Sequence, residues 1–256
     1  MSIEKIEVFK ANVPLKTPFV TSLGKLEKLD QIIVKITNDE GVFGWGEAAA
    51  RNVVLGESSG TVESALEYLA PKLIGEDPFR MEVLVESMDE AIYGNSSAKA
   101  CLDMALHDLL GNIVEKPLWK ILGGANLGEI ETDYTVTIDE PDQMAKSADR
   151  LVEQGFKLIK VKVGKKPEKD IERLVKIRDA IGDKIDLYVD ANQGWSRQEA
   201  IYALKKMENL DIKFAEQPVK AEDIDGLSLI RSKVNIPIMA DETVHSPEDA
   251  MQVNKK

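Results

Sequence analysis

Three carboxylates in the second half of the chain have the residue type and spacing of a metal site. Each ends a short apolar run, and the three are 26 and 25 residues apart: Asp190, Glu216 and Asp241. One strand–helix unit of a parallel barrel takes about that length, so we expect the acids side by side on one rim. Mg²⁺ prefers such oxygen ligands, and Mn²⁺ can replace it. An acid after a strand can also cap a helix, but the constant period favours a shared site.

Two lysines lie one period upstream, on a strand whose other residues are apolar. Lys160 and Lys162 are separated by one residue, so both side chains face the interior of the predicted barrel. Lysines on edge strands are usually solvated, but burial and mutual repulsion in a barrel mouth would lower the pKa of each amine. We therefore expect a lysine general base beside the metal.

A metal beside a lysine base suits one reaction above others. The cation would hold the carboxylate of a small-molecule substrate and offset the charge that develops as the α-proton leaves. The lysine would take that proton, and an enediolate would result. Thr135 joins the series 27 residues before Lys162, at the end of the preceding predicted strand. The pattern therefore predicts an enzyme that acts on a carboxylate.

The two halves of the 256-residue chain differ in the order of their elements. Residues 1–125 begin with strands and continue with helices, which indicates an α+β domain. Residues 126–256 alternate strands with helices, which indicates a (β/α) TIM-like barrel. Glycines at 123, 124 and 128, with Asn126, mark the boundary. About five strands are present and a whole barrel takes roughly 200–250 residues, so we expect an incomplete barrel in a C-terminally truncated chain.

Alternation and helical periodicity predict the individual elements. The strands of the first domain are predicted at 3–12, 30–37 and 42–47. Its helices are predicted at 61–73, 81–92 and 97–112, the last of them capped from residues 95–97. The barrel strands are predicted at 132–138, 158–163, 185–190, 213–216 and 236–241. The helices between and after them are predicted at positions that include 141–154, 167–181 and 247–256.

Composition and charge exclude several classes of partner. A net charge of −12 and a pI near 4.8 argue against nucleic acid and anionic membranes. No stretch approaches about 18 apolar residues, so no membrane span is expected. Cys101 is the only cysteine and the N-terminus carries no apolar signal segment, so we expect a cytoplasmic protein. An open half-barrel would expose a strand edge, so we also expect a homo-oligomer.

Several motifs of this chain resemble those of the enolase superfamily, muconate-lactonizing subgroup. They are Lys160-Val161-Lys162, residues 190–195 (Asp-Ala-Asn-Gln-Gly-Trp), 216–219 (Glu-Gln-Pro-Val), 240–242 (Ala-Asp-Glu) and 44–47 (Gly-Trp-Gly-Glu). Residues 131–136 are similar to the first barrel strand of dipeptide epimerases of the L-Ala-D/L-Glu type. The resemblance covers essentially the whole chain and implies a capping domain followed by the barrel.

The resemblance also implies a role for each residue of the predicted site. The Mg²⁺ ligands would be Asp190, Glu216 and Asp241. Lys162 would be one acid/base, and Lys160 would help to hold the substrate carboxylate.

Further residues would surround this centre. Thr135 would line the substrate pocket, and Asn192 and Glu242 would orient ligands and lysines. Residues 17–25, with Thr21 and Lys25, correspond to the flap that closes over substrate in the family. Epimerases of the Ala-Glu type carry an arginine there, at the position of Gly24. A lysine beside it does not reproduce the bidentate fork of arginine, so we expect a different dipeptide.

In the family, the second catalytic lysine and the dipeptide-specific acidic motif follow strands six and eight, beyond these 256 residues. Epimerisation needs acid/base groups on both faces of the intermediate, so we predict that this chain alone does not epimerise. Within the same chemistry, o-succinylbenzoate synthase, N-acylamino-acid racemase and muconate cycloisomerase remain open. A non-catalytic scaffold fragment that keeps the metal triad is the alternative outside that chemistry.

Overall fold

The computed structural model describes residues 1–124 and 128–256, which form two compact units. The first unit comprises Met1–Lys16 and Glu27–Gly128, and the second comprises Thr17–Leu26 and Glu129–Lys256. The flap segment therefore groups with the second unit, although the sequence places it within the first half. The boundary predicted between residues 125 and 126 lies outside the described residues.

The first unit is built on a three-stranded sheet of order β1-β2-β3. Its strands are β1 (Ile3–Thr21), β2 (Gly24–Asn38) and β3 (Phe43–Ala49). Strands β2 and β3 are antiparallel. The first two strands are longer than predicted. Their additional residues are mostly exposed or half-buried, so they show no burial alternation from which a strand could be predicted.

Helices α1 (Ser59–Leu73), α2 (Met81–Ala91), α3 (Ser96–Ile113) and α4 (Leu118–Ile121) complete this unit. Strand β3 packs closely on α3, since a Cβ added at Gly46 would lie 1.9 Å from the Cys101 carbonyl oxygen. The cap expected from residues 95–97 is not made by the Asn95 side chain, which donates to the Tyr93 carbonyl instead. Asn95 has a left-handed backbone. A carboxylate oxygen of Glu57 accepts from the Ser97 N–H at 3.1 Å instead.

The second unit contains five parallel strands in the order β4-β5-β6-β7-β8. The strands are β4 (Tyr134–Val136), β5 (Leu158–Lys162), β6 (Asp186–Asp190), β7 (Ile212–Glu216) and β8 (Ile238–Met239). The helices are α5 (Pro141–Glu153), α6 (Pro167–Ile181), α7 (Arg197–Met207), α8 (Ile224–Arg231) and α9 (Pro247–Asn254), with a 3-10 turn at Glu208–Leu210. The capping domain and an incomplete (β/α) barrel of five strands are thus confirmed.

The strands and helices of this unit enclose one core. Alternate residues of the strands, such as Ile159, Val161 and Val189, are fully buried and belong to a single apolar cluster with residues of the helices. The strand predicted at 236–241 spans only Ile238–Met239, so Asp241 lies in the segment that follows it. Within the described parts of the chain, no helix combines the length and apolar character needed to cross a bilayer.

Candidate active site

The register of the parallel strands brings the predicted residues together. Lys162 is opposite Asp190, and Asp190 is opposite Glu216, at the carboxyl ends of three adjacent strands. Thr135 pairs with Lys160 rather than with Lys162, so the sequence series is displaced by two residues at β4. The equal spacing along the chain gives no information on this stagger between strands.

The three carboxylates converge as their spacing predicts. One oxygen from each of Asp190, Glu216 and Asp241 lies within 4.8 Å of the other two. The first two side chains are buried and the third is exposed. Three hard oxygen donors at this separation fit Mg²⁺, which binds few protein carboxylates and keeps several waters. An exposed ligand on one side leaves room for those waters and for a substrate.

Both lysines contact the carboxylates of the triad. Lys160 Nζ donates to the two oxygens of Glu216 at 2.8 and 2.7 Å and lies 2.9 Å from Asp190 Oδ2. Lys162 Nζ donates to the same Asp190 oxygen at 2.5 Å. The amines therefore lie beside the atoms that would hold the cation.

The charges in this cluster perturb one another. Burial raises the pKa of Glu216 to about 7, with contributions from Asp190 and Asp241, against the lowering effect of Lys160. Burial also opposes ionisation of Asp190, but the two ammonium groups hold the pKa of that carboxyl below its usual value. A cation between these carboxylates would favour the charged form of each.

The pKa of Lys160 corrects a prediction made from the sequence. Burial lowers this pKa, as expected. The carboxylates of Asp190 and Glu216 together raise it by more than burial lowers it, so the net result is a pKa above the usual value. Repulsion between the two lysines would lower the pKa, but the barrel also brings opposite charges within hydrogen-bond distance of the same ammonium group.

Two further polar side chains form a chain of hydrogen bonds behind Lys162. Lys162 Nζ donates to Asn192 Oδ1 at 2.9 Å, and Asn192 Nδ2 donates to Glu242 Oε1 at 3.0 Å. The other oxygen of Glu242 is buried and has no hydrogen-bond partner among the described residues. Burial raises the pKa of this carboxyl. These contacts would allow Asn192 to hold the Lys162 amine in place, which is the role that the resemblance implies for it.

The flap contributes residues that were not predicted. The ring of Phe19 lies 5.9 Å from Lys162 Nζ, and Ser22 Oγ donates to the Asn192 carbonyl at 2.8 Å. Thr21, which was predicted to bind substrate, is buried, and its hydroxyl accepts from the Leu23 N–H within the hairpin turn. No pattern near residue 19 or 22 indicates these contacts, since their partners lie more than 140 positions away in the sequence.

A cavity of about 930 Å³ adjoins the flap. Lys25 and Thr135, both predicted to bind substrate, line it together with Phe19 and Arg150. The carboxylate triad and the two site lysines are not part of its lining. The structure thus places the predicted residues in two groups, one at the metal centre and one in the cavity beside the flap.

A tyrosine and an aspartate lie one layer below the triad. The Tyr188 hydroxyl donates to the Asp133 carboxylate, and the Tyr188 ring lies 5.5 Å from Lys160 Nζ. Burial, reinforced by this carboxylate, raises the pKa of the phenol. The strand alternation could have identified Tyr188, because it faces the same side of β6 as Asp190.

Asp170 on helix α6 joins the loops around the site. Its carboxylate is fully buried and accepts from the N–H groups of Gly164 and Lys165, both at 3.0 Å, and from Trp195 Nε1 at 3.2 Å. Arg173 donates to its other oxygen at 2.7 Å. One buried ion pair therefore ties the loop after Lys162 to the loop after Asp190.

The fold and the site agree with comparisons to known families. Residues 3–123 match the family described as the mandelate racemase / muconate lactonizing enzyme N-terminal domain, and residues 143–256 match the enolase C-terminal domain-like family. The chain belongs to the mandelate racemase/muconate lactonizing enzyme branch of the enolase superfamily. Within it, the chain resembles the dipeptide epimerases, which are isomerases.

Three relatives show the degree of similarity. The L-Ala-D/L-Glu epimerase of Clostridium acetobutylicum is 42% identical over 99% of this chain and 71% of its own length. The N-succinyl-L-Arg/Lys racemase of Bacillus cereus is 36% identical over 100% of this chain and 70% of its length. A Cytophaga hutchinsonii dipeptide epimerase, solved with Mg and D-Ala-L-Val, aligns with a TM-score of 0.95 at 42% identity, over 100% of this chain and 69% of that one. The chain thus spans about seven-tenths of the length of these relatives.

Proposed function

We propose that the site removes the α-proton of a carboxylate substrate in a Mg²⁺-dependent reaction, and that the substrate is a dipeptide that is epimerised. The observation that carries this proposal is the position of Lys162 Nζ, 2.5 Å from a carboxylate of the triad. A base at this position would lie beside the α-proton of a substrate whose carboxylate is held by the bound cation. The names of the relatives support the same reaction, since epimerisation of a dipeptide begins with loss of its α-proton.

Each residue of the candidate site would have its own role in the reaction. Lys162 would take the α-proton, held in place by Asn192 at 2.9 Å. Lys160 would donate to the substrate carboxylate. Bound Mg²⁺, held by the triad, would stabilise the charge of the enediolate. The Phe19 ring would exclude water from the Lys162 amine.

The substrate is proposed to lack an acidic second residue. Gly24 occupies the flap position at which the resemblance implies an arginine for Ala-Glu substrates, and Lys25 lines the adjacent cavity. An ammonium on a flexible stem binds a carboxylate less specifically than a guanidinium does. A second candidate is racemisation of an N-succinyl amino acid, which the 36% identity to the B. cereus racemase favours.

The 256 residues by themselves are proposed to exchange the α-proton without inverting the centre. Both site lysines come from β5, so they approach a bound substrate from the same strand. Inversion needs a second acid/base group on the opposite face of the intermediate. We also propose that the protein forms a homo-oligomer. The second acid/base group is not assigned to a partner copy.

The proposal is tested by proton exchange in D₂O. The chain is incubated with a dipeptide library and Mg²⁺, and α-deuterium is measured by mass spectrometry while configuration is measured by chiral chromatography. Exchange with retained configuration, abolished by EDTA and strongest for non-acidic second residues, is the expected result. Mg²⁺ binding without any exchange would favour a non-catalytic scaffold. Inversion by this chain would contradict the one-face proposal, and exchange of N-succinyl amino acids alone would favour the second candidate.

A further inference from the structure

The segment that carries Asp241 has little regular structure to hold it. Strand β8 contains two residues, and Asp241 follows it in an irregular segment with an exposed side chain. Asp190 and Glu216, in contrast, are the last residues of five-residue strands and are buried. A metal ligand must be fixed within a fraction of an ångström to bind well. Some other contact must therefore position Asp241.

That contact is made by the side chain of Gln217, which is fully buried. Its Oε1 accepts from the Asp241 N–H at 2.9 Å and from the Thr243 N–H at 3.2 Å. Its Nε2 donates to the Val219 carbonyl at 3.0 Å and to Thr243 Oγ1 at 2.8 Å. One amide group thus connects the loop after β7 to the segment after β8.

The backbone of Gln217 is held on both sides as well. Its N–H donates to the Met239 carbonyl at 2.9 Å, and its carbonyl accepts from the Gln193 N–H at 2.8 Å. The residue has a left-handed backbone with φ of 37°, which costs free energy for a residue with a side chain. The surrounding hydrogen bonds hold it in this conformation, and the conformation places the amide beneath the Asp241 segment.

We infer that Gln217 is a positioning residue for the metal centre. Its side-chain oxygen accepts a hydrogen bond from the Asp241 backbone N–H and so sets the location of the third ligand. The inference rests on the proposed function, since it requires that the triad binds Mg²⁺. Gln217 itself does not coordinate the cation. Its removal would leave the ligand chemistry intact and displace one oxygen.

The test is Mg²⁺ affinity by isothermal titration calorimetry on the 256-residue chain, combined with a double-mutant cycle. Gln217→Met keeps the length of the side chain and removes the amide, and we expect about 10-fold weaker binding. Asp241→Asn alone also weakens binding. If Gln217 acts through Asp241, the double variant binds no more weakly than Asp241→Asn does. Additive losses would overturn the inference, because a merely structural role would not depend on the carboxylate.

Gln193→Met is the matched control. The Gln193 side chain also accepts from a backbone N–H of the loop after β7, that of Ala221 at 3.0 Å, and makes no bond to Asp241. The Mg²⁺ affinity of Gln193→Met should stay within about 2-fold of the wild type. An equal loss of affinity in Gln193→Met and Gln217→Met would overturn the inference. If Gln217→Met does not fold, Gln217→Asn is used, since its amide is one methylene too short to reach Asp241. Absence of Mg²⁺ binding in the wild type would refute the proposed metal site and, with it, this inference.

Discussion

The ammonium group of Lys160 is shared between both oxygens of Glu216, at 2.8 and 2.7 Å. The same carboxylate belongs to the triad that fits Mg²⁺, so a bound cation would compete with the lysine for one partner. The response to Mg²⁺ should therefore depend on this lysine.

Replacing Lys160 by methionine should make the protein depend more strongly on Mg²⁺. Without the ammonium, two buried carboxylates lose a partner, and the metal-free protein should lose about 3 kcal/mol. Bound cation would restore the balance, so the rise in melting temperature on adding Mg²⁺ should exceed that of the wild type. Lys157→Met, which removes an exposed pair with Glu131, is the control. An equal Mg²⁺ response in Lys160→Met and wild type would refute the competition.

Lys162→Met should remove α-proton exchange. A positioned general base contributes about 10²- to 10⁴-fold to such a reaction, so exchange in D₂O should fall by at least about 100-fold with the preferred substrate. Calorimetry on the same variant should still detect Mg²⁺ binding. If binding is lost together with exchange, Lys162 serves to hold Asp190 rather than to move a proton.

Asp170→Asn should destabilise the second unit. The neutral side chain leaves the buried Arg173 guanidinium without its charge partner, and breaking such a pair costs roughly 3–5 kcal/mol. Urea unfolding followed by circular dichroism measures the change. Asp142→Asn on α5 removes an exposed pair with Lys176 and should have a much smaller effect. Comparable losses in the two variants would contradict a special role for the buried pair.

Gly46→Ala should destabilise the first unit strongly. The added methyl would lie 1.9 Å from the Cys101 carbonyl oxygen of α3, so strand or helix must move. The unfolding midpoint in urea should fall well below that of the wild type, because overpacking a core costs about 1–3 kcal/mol or more. Gly60→Ala in α1 meets no atom closer than 3.8 Å and should be neutral or slightly stabilising. A tolerated Gly46→Ala would show that the packing is looser than described.

Cys101 should be unreactive in the folded protein. Burial raises the pKa of its thiol to about 12, so the thiolate is scarce at pH 8, and only the thiolate reacts rapidly. Because the folded pKa exceeds the unfolded one, the neutral thiol imposes no penalty until the pH rises above about 9. A disulfide reagent should modify it at pH 8 only after denaturant is added. Rapid labelling of the native protein would contradict the described burial.

The strands and helices of the second unit were largely predictable, because their signals are local. Helix α6 matches the prediction of 167–181 and begins with a proline at its first turn. Strand β8 is shorter than its apolar run, since pairing requires a partner at each position and the run alone does not supply one. The extension of β1 was missed because most of its residues are exposed or half-buried and show no burial alternation.

The sequence by itself predicted which residues form the candidate site and on which side of their strands they point. The period of 25 to 28 residues and the two-residue alternation of Lys160 and Lys162 are properties of the chain, and regular secondary structure converts them directly into position. The tertiary structure alone decided which of these groups touch. The bond between Gln217 and Asp241, and the contact of Ser22 with Asn192, join residues 24 and 170 positions apart. The raised pKa of Lys160 also comes from the tertiary structure, since it depends on charges from two other strands. Such contacts follow from strand stagger and loop conformation, which arise only when the strands pair and the core packs.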